Sequence, residues 1–149
     1  LMRVAKQRIM QREAYEFYVE NDDAGNPVWT KDIAKRGPAF RHRNNCQRSS
    51  ITYNAGLKRY LWWQQIPNHE HPKGDMGDTR FEGGFGIYEA PERWEPWRTV
   101  YYTEQWDVGP GEIANFPSKW MSADGKTCYM TFSGDDHFSV RKLIFYGVH

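Results

Sequence analysis

The chain lacks the features that mark membrane, disulfide-rich and strongly charged proteins. Its only cysteines, Cys46 and Cys128, are too few for a disulfide scaffold, and we expect two reduced, mostly buried thiols. No apolar run is long enough to span a bilayer. A net charge of +1 gives no overall attraction to nucleic acid or membrane surfaces. The first residues lack the apolar stretch of a signal peptide, which favours a cytoplasmic protein.

Aromatic residues are abundant, at 16% of the 149 residues. Alternation with a period of two predicts strands through the last two thirds of the chain. In the segment 59–65, Tyr60 and Trp62 fall on one face, and Leu61 and Trp63 on the other. A strand with large apolar side chains on both faces is expected to lie between packed layers.

The alternating segments are separated by turn sequences rich in glycine, asparagine and aspartate. Turns are predicted at 23–27, 54–56 and 123–125, where glycine supplies the positive φ of a tight hairpin. The first 14 residues are compatible with a short helix. Predicted strands lie near residues 14–19, 27–33, 48–53, 59–65, 83–89, 98–103, 116–122, 127–133 and 138–146.

One pattern occurs twice. Gly56–Trp63 and Gly125–Phe132 share a glycine, three residues, a tyrosine, a long aliphatic residue, any residue and a large aromatic. Chance similarity between two hairpins is one explanation. The other is a repeated supersecondary unit of the kind that builds β-propellers.

These observations predict a single all-β, antiparallel domain over residues 1–149. Residues 47–104 would form a first four-stranded, blade-like unit and residues 115–147 a second, whose fourth strand is missing. Residues 1–46 would contribute extra strands and a basic loop. We therefore predict about two propeller-type blades with additional N-terminal strands, that is, a partial propeller.

Five segments resemble, in the same order, the C-terminal part of bacterial glycoside-hydrolase-like five-bladed β-propellers. They are Ala14–Phe17, Trp29–Asp32, Ser50–Leu57, Gly83–Tyr88 and Phe116–Ser122. The resemblance covers most of this chain but only part of the family's domain. An incomplete ring exposes strand edges and apolar faces. The chain is then a fragment, an assembly with copies of itself, or a different compact β fold.

The resemblance implies where catalytic acids would lie. Propeller glycosidases use two or three carboxylates at the ends of inner strands, one as the acid and another as the base or nucleophile. The candidates at such positions are Glu82, Glu112 and Asp135. Solvated loop carboxylates are the alternative for each, because no spacing singles out a pair.

Sugar binding is suggested more strongly by the aromatic residues, because flat rings stack on the C–H faces of sugars. Trp62, Trp63 and Trp97 are expected in the core. Trp106 and Trp120 flank the loop of Glu112 and are better candidates for an exposed site. Further candidate ligand contacts are Arg48, Tyr53, Asp136 and His137.

No cofactor or metal is predicted. A site at His69 and His71 would need a third and a fourth ligand; Asp75 and Asp78 are near, but prolines and a glycine predict a long, flexible insert between strands here. The expected function is carbohydrate binding by a glycosidase-related propeller fragment that is non-catalytic on its own. The alternatives are a self-associating protein without a small ligand, and a glycosidase completed by oligomerisation. The expected partners are a carbohydrate and further copies of the chain, without nucleic acid or membrane.

Overall fold

The computed structural model describes residues 1–42, 46, 48–67, 83–94, 96–106, 113–134 and 137–147. The described chain is all-β, with ten strands in three antiparallel sheets and no α-helix, closed barrel or closed propeller ring. The predicted all-β, antiparallel class is confirmed. No helix among the described residues is long and apolar enough to cross a membrane. The strands are β1 (Met2–Arg3), β2 (Glu16–Asn21), β3 (Pro27–Thr30), β4 (Ser49–Asn54), β5 (Arg59–Pro67), β6 (Gly83–Ala90), β7 (Arg98–Thr103), β8 (Ala114–Asn115), β9 (Thr127–Gly134) and β10 (His137–Ile144).

The chain divides into two compact units. The first comprises Leu1–Arg41 with Arg93–Pro96, and the second comprises His42–Glu92 with Trp97–His149. The first unit contains a three-stranded sheet in the order β1-β2-β3. Its buried centre is Tyr18, whose ring meets Trp29 edge to face at 5.9 Å. Two strands and a connecting turn were predicted here, and the structure contains them.

The second unit contains a four-stranded sheet in the order β4-β5-β6-β7. Each strand pairs with the next along the chain, as in a simple up-and-down meander. Tyr60 on β5 lies opposite Tyr53 on β4 and Ala90 on β6. This sheet follows the four strands predicted for the first blade-like unit closely.

A three-stranded sheet in the order β10-β9-β8 completes the second unit. Side chains of this sheet and of the four-stranded sheet belong to one hydrophobic core, so the two sheets are held together by apolar burial. The buried members are Leu61, Trp63, Phe85, Ile87, Trp106, Ala114, Phe116, Cys128, Met130, Phe132 and Phe145.

The sequence repeat corresponds to equivalent positions in the two sheets. Leu61 and Trp63 on β5 are buried in the shared core, and so are Met130 and Phe132 at the matching positions of β9. The repeated tyrosine, Tyr60 or Tyr129, is half-buried on the opposite face of its strand. Period-two geometry explains this agreement, because equal spacing places equal residue types on equal faces.

The turns that contain the repeated glycines pack against each other. A Cβ on Gly56 would overlap the backbone of Gly125, so neither turn has room for a side chain there. Asn54, fully buried, donates from Nδ2 to the Gly125 carbonyl (2.9 Å) and accepts at Oδ1 from the Leu57 N–H (3.1 Å). One asparagine thus satisfies backbone groups of both turns.

The prediction of a strand over residues 116–122 is wrong. Within the described residues 113–126, the only strand is the two-residue β8, which is followed by a 3₁₀ turn at Ser118–Trp120. Pro117 has no backbone N–H for a sheet, and its carbonyl accepts from Trp120 N–H at 2.9 Å, which closes the turn. The N-terminal segment likewise forms two 3₁₀ turns, Lys6–Arg8 and Arg12–Ala14, in place of one short helix.

Candidate functional site

An open groove of about 500 Å³ lies on the outer side of the β10-β9-β8 sheet. Trp120 forms part of its wall and is 44% exposed. Tyr129 on β9 meets this ring edge to face, with ring centres 6.4 Å apart and planes at 88°. Met121 and Val140 add apolar surface. The groove therefore presents two aromatic side chains at right angles to each other.

The 3₁₀ turn holds Trp120 in place from both of its ends. Phe116, before the turn, is fully buried in the core. Met121, after the turn, is partly buried against the same core. Because the backbone is anchored on either side, the exposed indole is presented by a fixed segment of the chain.

Polar groups lie beside the aromatic wall. Ser122 and Thr127 line the groove, and the Ser122 hydroxyl accepts from the Thr127 N–H at 3.0 Å. The same hydroxyl donates to Asp124 at 2.6 Å. Hydrogen bonds from Ser122 and from the Lys126 backbone lower the pKa of the Asp124 carboxyl. Asp124 is therefore kept ionised as a rigid part of the turn beside the groove.

The predicted contacts Arg48 and Tyr53 lie at opposite ends of β4. Arg48 is exposed, and its carbonyl accepts from the Gln65 N–H at 2.9 Å. Tyr53 is 45% exposed, and its ring lies 4.9 Å from that of Tyr60. Five residues of extended chain span about 17 Å, so one small ligand does not contact both. β4 also contacts the 3₁₀ turn of Trp120.

Trp106 is buried, which corrects the prediction that it is exposed for ligand binding. It is 8% exposed, and its ring lies 4.4 Å from Phe85 and 5.3 Å from Phe132. The backbone N–H of Trp106 donates to the Gly83 carbonyl at 3.2 Å, which extends the pairing beyond the ends of β6 and β7. An indole covered on its faces by other rings has no surface for a sugar.

His137 is exposed at the start of β10. The remaining predicted site residues, Glu82, Glu112, Asp135 and Asp136, lie outside the described residues. So do His69 and His71. Within the described segments, no cluster of three or more His, Cys, Asp or Glu side chains is arranged to hold a metal ion.

Tyr129 and Val140 are groove residues that the sequence analysis did not assign to a site. In the sequence, Tyr129 is the tyrosine of the repeated pattern. The alternation along β9 does indicate that Tyr129 faces outward, because Tyr129 and Thr127 share the face opposite the buried Cys128 and Met130. What the pattern could not supply is the approach of Trp120 from a separate turn.

The two cysteines differ in environment. No disulfide joins the two cysteines, and Cys46 is exposed whereas Cys128 is buried, so the prediction of burial is correct for Cys128 alone. Burial raises the pKa of Cys128 to about 11. At neutral pH this thiol stays protonated and is a poor nucleophile.

Comparison with known proteins supplies no match to a family model, a curated protein or a solved structure, so a function can be inferred only from the geometry of the groove.

Proposed function

We propose that the chain is a carbohydrate-binding module, related to propeller glycosidases and non-catalytic on its own. The observation that carries this proposal is the exposed indole of Trp120, fixed at right angles to Tyr129 in an open groove. The order of segments that resembles glycoside-hydrolase-like propellers supports the same class of ligand.

The chemistry of the groove suits a sugar ring. A pyranose presents a C–H face, which packs on an indole, and a rim of hydroxyl groups, which need donors and acceptors. Trp120 offers the flat surface and Thr127 offers a hydroxyl group beside it, whereas Ser122 Oγ can only accept because its proton is bonded to Asp124. Lys119 adds a charged donor at the same groove.

Binding is favoured over hydrolysis by the groove's composition. Among the described residues that line it, none is an aspartate or glutamate. Glycosidases of the usual kind need two carboxylates on opposite sides of the scissile bond. A groove with an aromatic wall and without such a pair is suited to holding a glycan unchanged.

The decisive experiment is a screen of the purified chain on an array of uncharged glycans, followed by titration of the best ligand. We expect Trp120→Ala to weaken binding by about tenfold or more, because stacking contributes roughly 1.5 kcal/mol. Trp120→Phe should retain part of the affinity. Tyr146→Ala is the matched control, since Tyr146 is an exposed aromatic outside the groove.

An array on which the wild-type chain binds nothing would exclude carbohydrate recognition. Equal losses for Trp120→Ala and Tyr146→Ala would place any sugar elsewhere on the surface. Circular dichroism of each variant separates a lost contact from a lost fold.

Self-association is a second candidate, favoured by the exposed face of β10. Phe138 on this face is 76% exposed, and Val140 and Ile144 are each 46% exposed. β10 is the edge of its sheet as described, and edge strands present unused backbone hydrogen-bonding groups. Solution mass by light scattering tests this directly. A concentration-independent monomer would remove the candidate, whereas an oligomer dispersed by Val140→Lys would support it.

A further inference from the structure

A second, more polar cavity of about 260 Å³ lies in the same unit, away from the groove. Strands β5, β6 and β7 form one side, through Arg59, Glu89 and Arg98. The segment that follows β10 forms the other side, where Phe145 is buried and Tyr146 is exposed. Two guanidinium groups and one carboxylate thus line a small cavity with apolar support.

Glu89 is already paired within this cavity. Arg59 Nε lies 3.0 Å from Glu89 Oε2, and the two side chains are only 30% and 15% exposed. Arg59 Nη1 also donates to the Lys58 carbonyl at 3.1 Å. A partly buried pair with one further hydrogen bond from Arg59 holds its geometry better than a surface pair, so we treat Arg59 and Glu89 as a fixed wall.

Arg98 is the second cation and lies directly opposite Glu89 on the neighbouring strand. No described aspartate or glutamate lies within ion-pair distance of its guanidinium, whereas Glu89 is bound by Arg59. With one carboxylate and two guanidinium groups, the described lining has a net charge of +1. An anion is the ligand that would balance this charge.

We propose that this cavity binds a small oxyanion, a carboxylate or a phosphate, with Arg98 as the main anchor and Arg59 as a secondary one. Guanidinium groups recognise both anions through two parallel N–H bonds. The volume lies below the roughly 300–1,000 Å³ of pockets for drug-sized ligands, which limits the occupant to a compact molecule. The site goes beyond the proposed groove and contains none of its residues.

Inorganic phosphate and glucuronate are the two probes, because they separate a phosphate source from an acidic sugar. Glucose serves as the uncharged reference. Each is titrated into the whole chain at low ionic strength by NMR or calorimetry. We expect saturable binding of at least one anion. Arg98→Gln should weaken this binding about tenfold or more. Arg98→Lys should weaken it less, because lysine keeps the positive charge but lacks the two parallel N–H donors of a guanidinium group.

Lys142→Gln is the control, because it removes one positive charge from an exposed strand position outside the cavity. It should change affinity by less than about twofold, because exposed, distant charges are screened. Phosphate binding alone would identify a phosphate ligand, and glucuronate binding alone an acidic sugar. Absence of saturable binding by both anions would overturn the site, as would equal losses in Arg98→Gln and Lys142→Gln. Binding of uncharged glycans at the groove is a separate measurement and is expected to be unaffected by Arg98→Gln.

Discussion

The two sheets of the second unit are the four-stranded sheet β4-β5-β6-β7, called the first sheet here, and the three-stranded sheet β10-β9-β8, called the second. Their inward faces contribute to one core, but their outward faces differ. Both place an aliphatic residue and an aromatic residue of the repeat in one core. On the outward side, Trp62 of the first sheet meets Trp97 edge to face at 5.0 Å, whereas the matching position of the second sheet is Thr131. Both sheets expose apolar residues on an edge strand, but Phe138 on β10 is 76% exposed, whereas Val100 and Tyr101 on β7 are 39% and 47% exposed.

This difference separates what holds the unit together from what a ligand or partner can reach. The inward residues are constrained by close packing, which tolerates little change in volume. The outward residues of the second sheet are free to carry an aromatic groove and an exposed strand. A repeated sequence therefore specifies a repeated core position without specifying a repeated surface.

The largest expected effect comes from truncating the repeat inside the core. Leu61→Ala and Met130→Ala each remove a fully buried side chain at equivalent positions. We expect each to lower the free energy of unfolding by about 2–5 kcal/mol, measured by urea denaturation. Outward Thr131→Ala on β9 is the control and should cost much less. A negligible cost at either core position would break the equivalence of the two sheets.

An intermediate effect is expected where the two repeated turns meet. Gly125 has a φ of +71°, and a Cβ there would overlap Asn54 Oδ1. Gly125→Ala should therefore destabilise by about 2–4 kcal/mol, the sum of left-handed strain and a disturbed buried hydrogen bond. Thermal or urea unfolding measures the loss.

Gly25→Ala is the matched control for this turn. Gly25 has a similar φ of +81°, but nothing lies within 4 Å of the position its Cβ would occupy. Its cost should be only the strain of roughly 1–2 kcal/mol. Equal costs at the two glycines would show that the contact between the turns contributes nothing to stability.

Alkaline pH is expected to cause a gradual loss of stability, which distinguishes the two sheets of the second unit by their titrating groups. The pKa of Tyr88, on β6 of the four-stranded sheet, is raised from 10.0 to about 12, mainly by burial and to a smaller extent by the nearby Tyr102 and Cys46. Burial raises the pKa of Cys128 in the second sheet from 9.0 to about 11. The unfolded chain thus loses these protons at lower pH than the folded chain, and stability falls as pH rises.

The decline due to Cys128 should therefore occupy pH 9–11 and that due to Tyr88 pH 10–12. Unfolding free energies measured across this range would show both. Tyr88→Phe should remove the upper part and Cys128→Ala the lower part. A pH profile unchanged by either substitution would contradict the burial of these groups.

Strand positions were largely predictable because period-two alternation depends only on which residues must be buried. One failure occurred where local backbone chemistry decided the outcome, and another where contacts between distant residues did. Residues 116–122 alternate well enough to suggest a strand, yet Pro117 withholds a donor and the chain closes a 3₁₀ turn. Burial of Trp106 was likewise not predictable, since its neighbours Phe85 and Phe132 come from distant parts of the chain.

The groove was half predictable. Trp120 was expected to be exposed because it adjoins a loop, and the structure exposes it. Tyr129 was not assigned, because a perpendicular ring pair depends on how a turn meets a sheet. The charged cavity lay beyond sequence reasoning altogether, since Arg59, Glu89 and Arg98 come from three strands that only pairing brings together.

By itself, the sequence determined the antiparallel β class, the positions of most strands and the inward faces of the repeated strands. Side-chain alternation and glycine turns are local properties, so they can be read along the chain. Only the tertiary structure decided which rings are covered, how the two glycine turns interlock and which charges share a cavity. Those outcomes depend on contacts between residues far apart in sequence, and the local pattern does not encode their distances.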